Sequence, residues 1–296
     1  MKKIYLILPI IAGIMFGSSG IFVRTLTQNG IDQTTLLFLR FSIAMIPIII
    51  AVLITDRKLF RLNSSDLPLI FLCAICIIGL NLCYNQSMNT VPLSLAAVLL
   101  STAPIFVLIF AYVLFRERIT SKKIICMCLA ILGCFLMTGA LEDNLTQIPL
   151  LGIVSGIGAA LFWAVYLMAS KKLIENGNHT FTILFYSVIF ITLVLLPFTN
   201  FNQITSFISI NPTWYIIFLI IHSTFSFALP YIFSTVSLNY IDSGVSSILL
   251  SGAEPFAALI FGLSLYSEIP TILMFCGFIM TILAMMMLSR ADVEKN

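Results

Sequence analysis

Among the residues able to do chemistry in this 296-residue chain, Glu254 stands first, set directly before Pro255. Proline lacks a backbone N–H and crowds the preceding helical turn, so a local opening is expected at this point. A carboxyl group beside such an opening can seat a proton or the cationic group of a bound molecule. Its bland alternative is a hydrogen bond to a neighbouring helix that holds a bundle together. Arg40 supplies the opposite charge and has three possible roles: holding a carboxylate of a bound molecule, pairing with Glu254, or snorkelling to an interface. His222, about two turns before Pro230, is either a proton relay or a packing residue. Asn81, Tyr84, Asn85 and Gln86 form a dense polar group that can line a cavity or bond between helices. Trp163 and Tyr166 can stack on an amphipathic molecule or pack against a helix or lipid.

Other chemistries find no support. The chain has seven cysteines, and Cys73-x2-Cys76 superficially suggests a redox or metal pair. No second pair or suitably spaced histidine accompanies it, so the cysteines read as small hydrophobes and neither a metal nor a cofactor is expected. With two histidines, His179 and His222, the chain offers no paired-acid, nucleophile–histidine or histidine-cluster set, which argues against an enzyme. No Gly-rich phosphate loop occurs. The net charge of +3 does not suggest nucleic acid.

The elements that must position these residues are apolar helices. Hydrophobic residues make up 60% and charged residues 9% of the chain, far from the roughly 25% charged of a soluble domain. Ten runs are long enough to cross a bilayer, at about 5–23, 33–54, 68–88, 92–114, 122–140, 149–168, 180–198, 213–236, 245–266 and 270–289. The breaks between them carry turn and charge signals, and residues 199–212 read as a short polar-aromatic loop. A cleaved signal peptide is a weaker reading of the first run, because that run has a counterpart near residues 152–170. With the N-terminus placed in the cytoplasm, thirteen of the fifteen Lys and Arg fall in cytoplasmic loops and tails. Arg24 falls outside and Arg40 within the second run.

The chain also repeats itself. Gly13-x3-Gly17 with Arg24 matches Ala160-x3-Ala164 with Lys171, the second copy lying 147 positions later. Pro104 with Glu117 matches Pro255 with Glu268, 151 positions later. The expected fold is therefore an all-α integral membrane protein of ten transmembrane helices in two inverted five-helix repeats, at 1–141 and 149–290. Duplicated, oppositely oriented units commonly build a transport site between them, marked by helix weak points at matching places. Gly79 and Pro230 match in this way, as do Pro104 and Pro255, so all four are candidate hinges. Glu117 and Glu268 read most simply as solvated or salt-bridged loop residues.

Two stretches resemble a known family. Leu99–Pro104 through Glu117-Arg118-Ile119-Thr120 and Gly133, and again Leu249–Pro255 through Glu268 and Gly277, are similar to the two copies of the EamA repeat of the drug/metabolite transporter superfamily. The resemblance covers nearly the whole chain. It departs at Phe16-Gly17-Ser18, where Trp-Gly-Ser is frequent, and no acidic residue precedes Asp32, unlike the small multidrug members. The resemblance implies a five-plus-five bundle with a central cavity, alternating access, and export of amino acids or other small metabolites or drugs from a bacterial inner membrane, with protons as a possible partner. Uptake or uncoupled exchange is the alternative, and a non-transporting scaffold or sensor a weaker one. Two repeats complete a bundle, which suits a monomer, with a dimer left open.

Overall fold

The computed structural model describes residues 5–18, 31–91, 93–137, 149–266 and 271–294, and its regular elements are all helical. They are α1 (Ile7–Gly17), α2 (Gln33–Thr55), α3 (Leu67–Thr90), α4 (Leu93–Leu100), α5 (Ala103–Phe115), α6 (Ser121–Met137), α7 (Leu150–Glu175), α8 (Thr180–Leu195), α9 (Phe201–Ile210), α10 (Pro212–Ser223), α11 (Leu229–Ser237), α12 (Ser243–Tyr266) and α13 (Ile272–Glu294). Arg24 and Glu268 lie outside the described residues. Seven helical stretches among the described residues are long and apolar enough to cross a membrane: α2, α3, α4–α5, α7, α8, α10–α11 and α13. The three other expected runs hold α1, α6 and α12.

Local chemistry sets the helix starts. Asp32 caps α2, its carboxylate accepting from the Thr35 N–H at 2.9 Å and the Thr35 hydroxyl at 2.8 Å. Asn211 accepts from the Trp214 N–H ahead of α10, where Pro212 occupies a first-turn position that needs no donor. The expected loop at 199–212 is a correction. Asn200 caps a helix there, accepting from Asn202 and Gln203, and Ile204, Phe207 and Ile208 recur at helical spacing to pack on Leu36, Leu39 and Leu219.

His179 caps α8 by accepting the Phe181 N–H at Nδ1, 3.3 Å away. Partial burial holds its pKa below the usual value. Only the neutral ring accepts at Nδ1, so the stabilisation is present above about pH 6.5 and declines as pH falls below that value. A thermal melt of His179→Asn, which keeps an acceptor, is expected to lack this acid-side decline. An unchanged pH profile would remove His179 as its source.

Proline shapes three of the spans in different ways. The α4–α5 span breaks at Ser101-Thr102, just before Pro104. The α10–α11 span widens into a π-helical segment, Thr224–Ala228, ahead of Pro230. Pro255, however, lies inside an α12 assigned as helix throughout, so the local opening expected there is not a break in the helix.

The packing between the halves has an internal symmetry. Exchanging the helices of α1–α6 for those of α7–α13, in chain order, maps the α1·α12 contact onto α5·α7, and α3·α7 onto α1·α11. The α2·α8 and α6·α13 contacts map onto themselves. Small residues allow these close approaches. A Cβ built on Gly13 would lie 2.5 Å from the Leu250 carbonyl oxygen and 3.1 Å from the Glu254 nitrogen, so α1 and α12 meet almost backbone to backbone beside the acid.

Candidate functional site

Six aromatic side chains from four spans meet in the interior: Phe41 of α2, Phe16 of α1, Trp163 and Tyr166 of α7, Phe227 of the π segment and Tyr231 of α11. Tyr231 is the centre. Its ring centroid lies 5.3 Å from Phe16, 5.7 Å from Trp163, 5.3 Å from Tyr166 and 4.3 Å from Phe227. Trp163 and Tyr166 stack at 5.4 Å, and Phe41 meets Phe227 edge-on at 4.4 Å. Trp163 and Tyr166 are 5% and 0% exposed, so they face other helices and not lipid. The Tyr166 hydroxyl shares a 2.8 Å hydrogen bond with Thr235 Oγ1. The Trp163 indole N–H is buried without a partner, leaving a donor inside the cluster. Such a donor is costly to bury unmatched.

The two charges flank this cluster. Glu254, on α12 beside Gly13, is half-buried and lies within electrostatic reach of Tyr84 and Tyr231. Arg40 is buried and does not snorkel. Its guanidinium donates to the Ser226 carbonyl and sits 5.8 Å from the Phe227 ring centroid. The reason is local. Pro230 has no N–H to return to the turn before it, and the Arg40 guanidinium donates into that turn. No ion pair joins Arg40 to Glu254, but Tyr231 is within electrostatic reach of both. Arg40→Met keeps the stem and removes the donor. It is expected to destabilise the folded protein by about 1–3 kcal/mol, the cost of an unmatched buried acceptor, read as a lowered thermal midpoint in detergent. An unchanged midpoint would show that the bond is idle.

The other sequence candidates divide. His222 is fully buried, its Nδ1 3.2 Å from the Ser226 hydroxyl, which places it on the turn that Arg40 braces. Tyr84 and Asn85 are half-buried, and Tyr84 lies within electrostatic reach of Glu254. Asn81 instead donates to its own helix, at the Ile77 carbonyl 2.8 Å away. Gly79 makes room for the Phe162 ring. Cys73 and Cys76 are buried, Cys73 lying 3.8 Å from the Ser170 hydroxyl, and no group of three metal-ligating side chains occurs among the described residues. A surface hollow of about 420 Å³ at Pro197–Asn202 is separate from the cluster. Sequence reasoning missed Tyr231, whose one signal was an aromatic directly after a helix-weakening proline. Of the two readings of Glu117, solvated or salt-bridged, the second holds: the side chain pairs with Lys171 and is 8% exposed.

Comparison with known proteins agrees with this architecture. The model of the EamA-like transporter family matches residues 3–139 and again 150–290. An uncharacterized transporter of Clostridium kluyveri is 28% identical over 220 residues, covering 71% of this chain and 70% of that protein. The threonine/homoserine exporter RhtA of Salmonella typhimurium is 27% identical over 77% of this chain and 75% of its own length. A probable purine permease 4 of Arabidopsis thaliana is 23% identical over 86% and 69%. A solved crystal structure superposes with a TM-score of 0.79 at 14% identity, covering 99% of this chain and 98% of that one, which speaks to the fold alone. With its apolar helices and two family matches that together span nearly its whole length, the chain is a multi-pass membrane protein and belongs to the EamA-like transporter family, within the drug/metabolite transporter superfamily.

Proposed function

We propose that this protein is a secondary active exporter of amino acids or similarly small amphipathic metabolites, working by alternating access in a bacterial cytoplasmic membrane. Ten crossing helices form two inverted halves, at 1–141 and 149–290, with both termini in the cytoplasm. The observation that carries the reading is the cluster itself. Tyr231 stands within reach of both a basic and an acidic side chain, Arg40 and Glu254, inside an aromatic wall drawn from both halves. An amphipathic molecule with an amine and a carboxylate meets complementary groups there, and the unpartnered Trp163 N–H is one more donor to it. The exchange symmetry of the helix contacts supports inverted halves, and the similarity to a threonine/homoserine exporter supports the substrate class. Glu254 is the proton carrier in this scheme, and the protein is not an enzyme.

The test is solute flux in proteoliposomes, with a pooled panel of amino acids and small amphipathic metabolites, with and without an imposed pH gradient. Gradient-dependent movement of one compound class is the expected result. Equal movement without a gradient would favour uncoupled exchange. No movement in vesicles shown to hold folded protein would overturn the reading for this panel.

A further inference from the structure

We infer that Glu117 is the latch that closes one mouth of the bundle, the end read above as cytoplasmic, and that the conformation described here is the one closed at that end. The inference rests on the alternating-access reading, but its test does not require a substrate.

The latch begins with backbone geometry. Arg116 ends α5 in the left-handed conformation, φ 54°, with the Glu117 N–H returning to the Ala111 carbonyl at 3.1 Å. A non-glycine residue is disfavoured in this region, and the reversal turns Glu117 back against the bundle. There the carboxylate meets two elements of the opposite half. It pairs with Lys171 near the end of α7, and it accepts from the Ser243 N–H at 3.0 Å and the Gly244 N–H at 3.5 Å at the start of α12. A carboxylate at a helix N-terminus satisfies donors that have no partner within the helix and complements the helix dipole. Lys171 also lies 4.9 Å from the Phe115 ring centroid. A second tie crosses between the halves close by, where Lys123 donates to Asp242 at 2.6 Å and to the Arg118 carbonyl at 3.2 Å.

The tied helices are those that carry the candidate site. Along α7, Lys171 is five residues from Tyr166, about 8 Å at helical rise. Along α12, Ser243 is eleven residues from Glu254, about 16 Å. Opening this mouth must pull Glu117 from Lys171 and from the α12 N-terminus together, leaving an amine and two backbone donors to water. Exposed surface ion pairs contribute little, but the side chains here are 14% and 8% exposed, so the latch biases the equilibrium between open and closed mouths. By contrast, Lys172–Glu175 is an exposed pair at 3.6 Å on the same helix and ties nothing across the halves.

Native cysteines supply the readout. Cys73 is buried beside Ser170, next to Lys171, whereas Cys134 is buried beside Ser101 on α6. In the full-length protein in native membranes, N-ethylmaleimide labelling is followed peptide by peptide. Glu117→Gln and Lys171→Met are each expected to raise the Cys73 labelling rate roughly tenfold, a shift of about 1.4 kcal/mol, with Cys134 unchanged. Lys172→Met is expected to leave both rates as in the wild type. Unchanged Cys73 labelling in Glu117→Gln would overturn the latch. So would equal acceleration at Cys73 and Cys134, because it would make Glu117 a general stabiliser of the fold. A failed flux assay with a positive labelling result would count against the transport reading and leave the latch standing.

Discussion

Glu254→Gln is expected to lower flux driven by a pH gradient roughly tenfold or more while leaving the thermal midpoint of the purified protein near that of the wild type. Glutamine keeps the volume and hydrogen-bonding capacity of the side chain and removes only its ability to titrate. Glu254 makes no ion pair among the described residues, so no buried cation is orphaned by the change, and Tyr84 and Tyr231 lie within its electrostatic reach. A tenfold loss corresponds to only about 1.4 kcal/mol in a barrier, a modest demand on an ionisable group held among helices. Counterflow of the same substrate without a gradient is expected to survive better than net flux. Unchanged gradient-driven flux would remove Glu254 as the proton carrier.

Gly13→Ala is the second large effect, and here two physical terms oppose each other. Alanine in place of a helical glycine normally gains close to 1 kcal/mol of helix propensity. At Gly13 the new Cβ would stand 2.5 Å from the Leu250 carbonyl oxygen, 2.8 Å from the Ala253 Cβ and 3.1 Å from the Glu254 nitrogen. Two of these three atoms are backbone and cannot rotate away, so α1 and α12 must separate. Overpacking of this kind typically costs about 1–3 kcal/mol, which exceeds the propensity gain. The expected outcome is a lowered thermal midpoint together with reduced flux, because the displaced turn is the one that carries Glu254. Gly158→Ala is the control. Its Cβ would approach Cys83 Sγ no closer than 3.6 Å, and the propensity gain is expected to prevail. If both alanine variants behave alike, the close approach at Gly13 does not matter.

Much of the architecture was legible in the residues. Each span had to be helical because an extended apolar segment has no way to satisfy its backbone inside a bilayer. The repeat announced itself through Gly13 against Ala160 and Pro104 against Pro255. Where the reading went astray, the cause was a short-range signal. Residues 199–212 looked like a loop because Thr, Asn and Pro crowd them, but Asn200 and Asn211 are the caps of two successive helices.

The site was legible only in part. Glu254, Arg40 and Trp163 were visible because ionisable and large polar-edged side chains are conspicuous in an apolar chain. Their partners were not. Arg40 bonds a carbonyl 186 residues away and Lys171 a carboxylate 54 residues away, and no local pattern encodes such pairings. In a soluble helix the apolar stripe shows which face is buried. In these helices nearly every position is apolar, so the rotation of each one about its axis is fixed by packing against its neighbours. Composition and spacing by themselves determined the class, the duplication and the short list of charged candidates. The tertiary structure alone decided that Tyr231 lies within electrostatic reach of both Arg40 and Glu254, that Arg40 bonds into the turn before Pro230, and that Glu117 pairs with Lys171, because the helix rotations that create those contacts leave no periodic trace in the sequence.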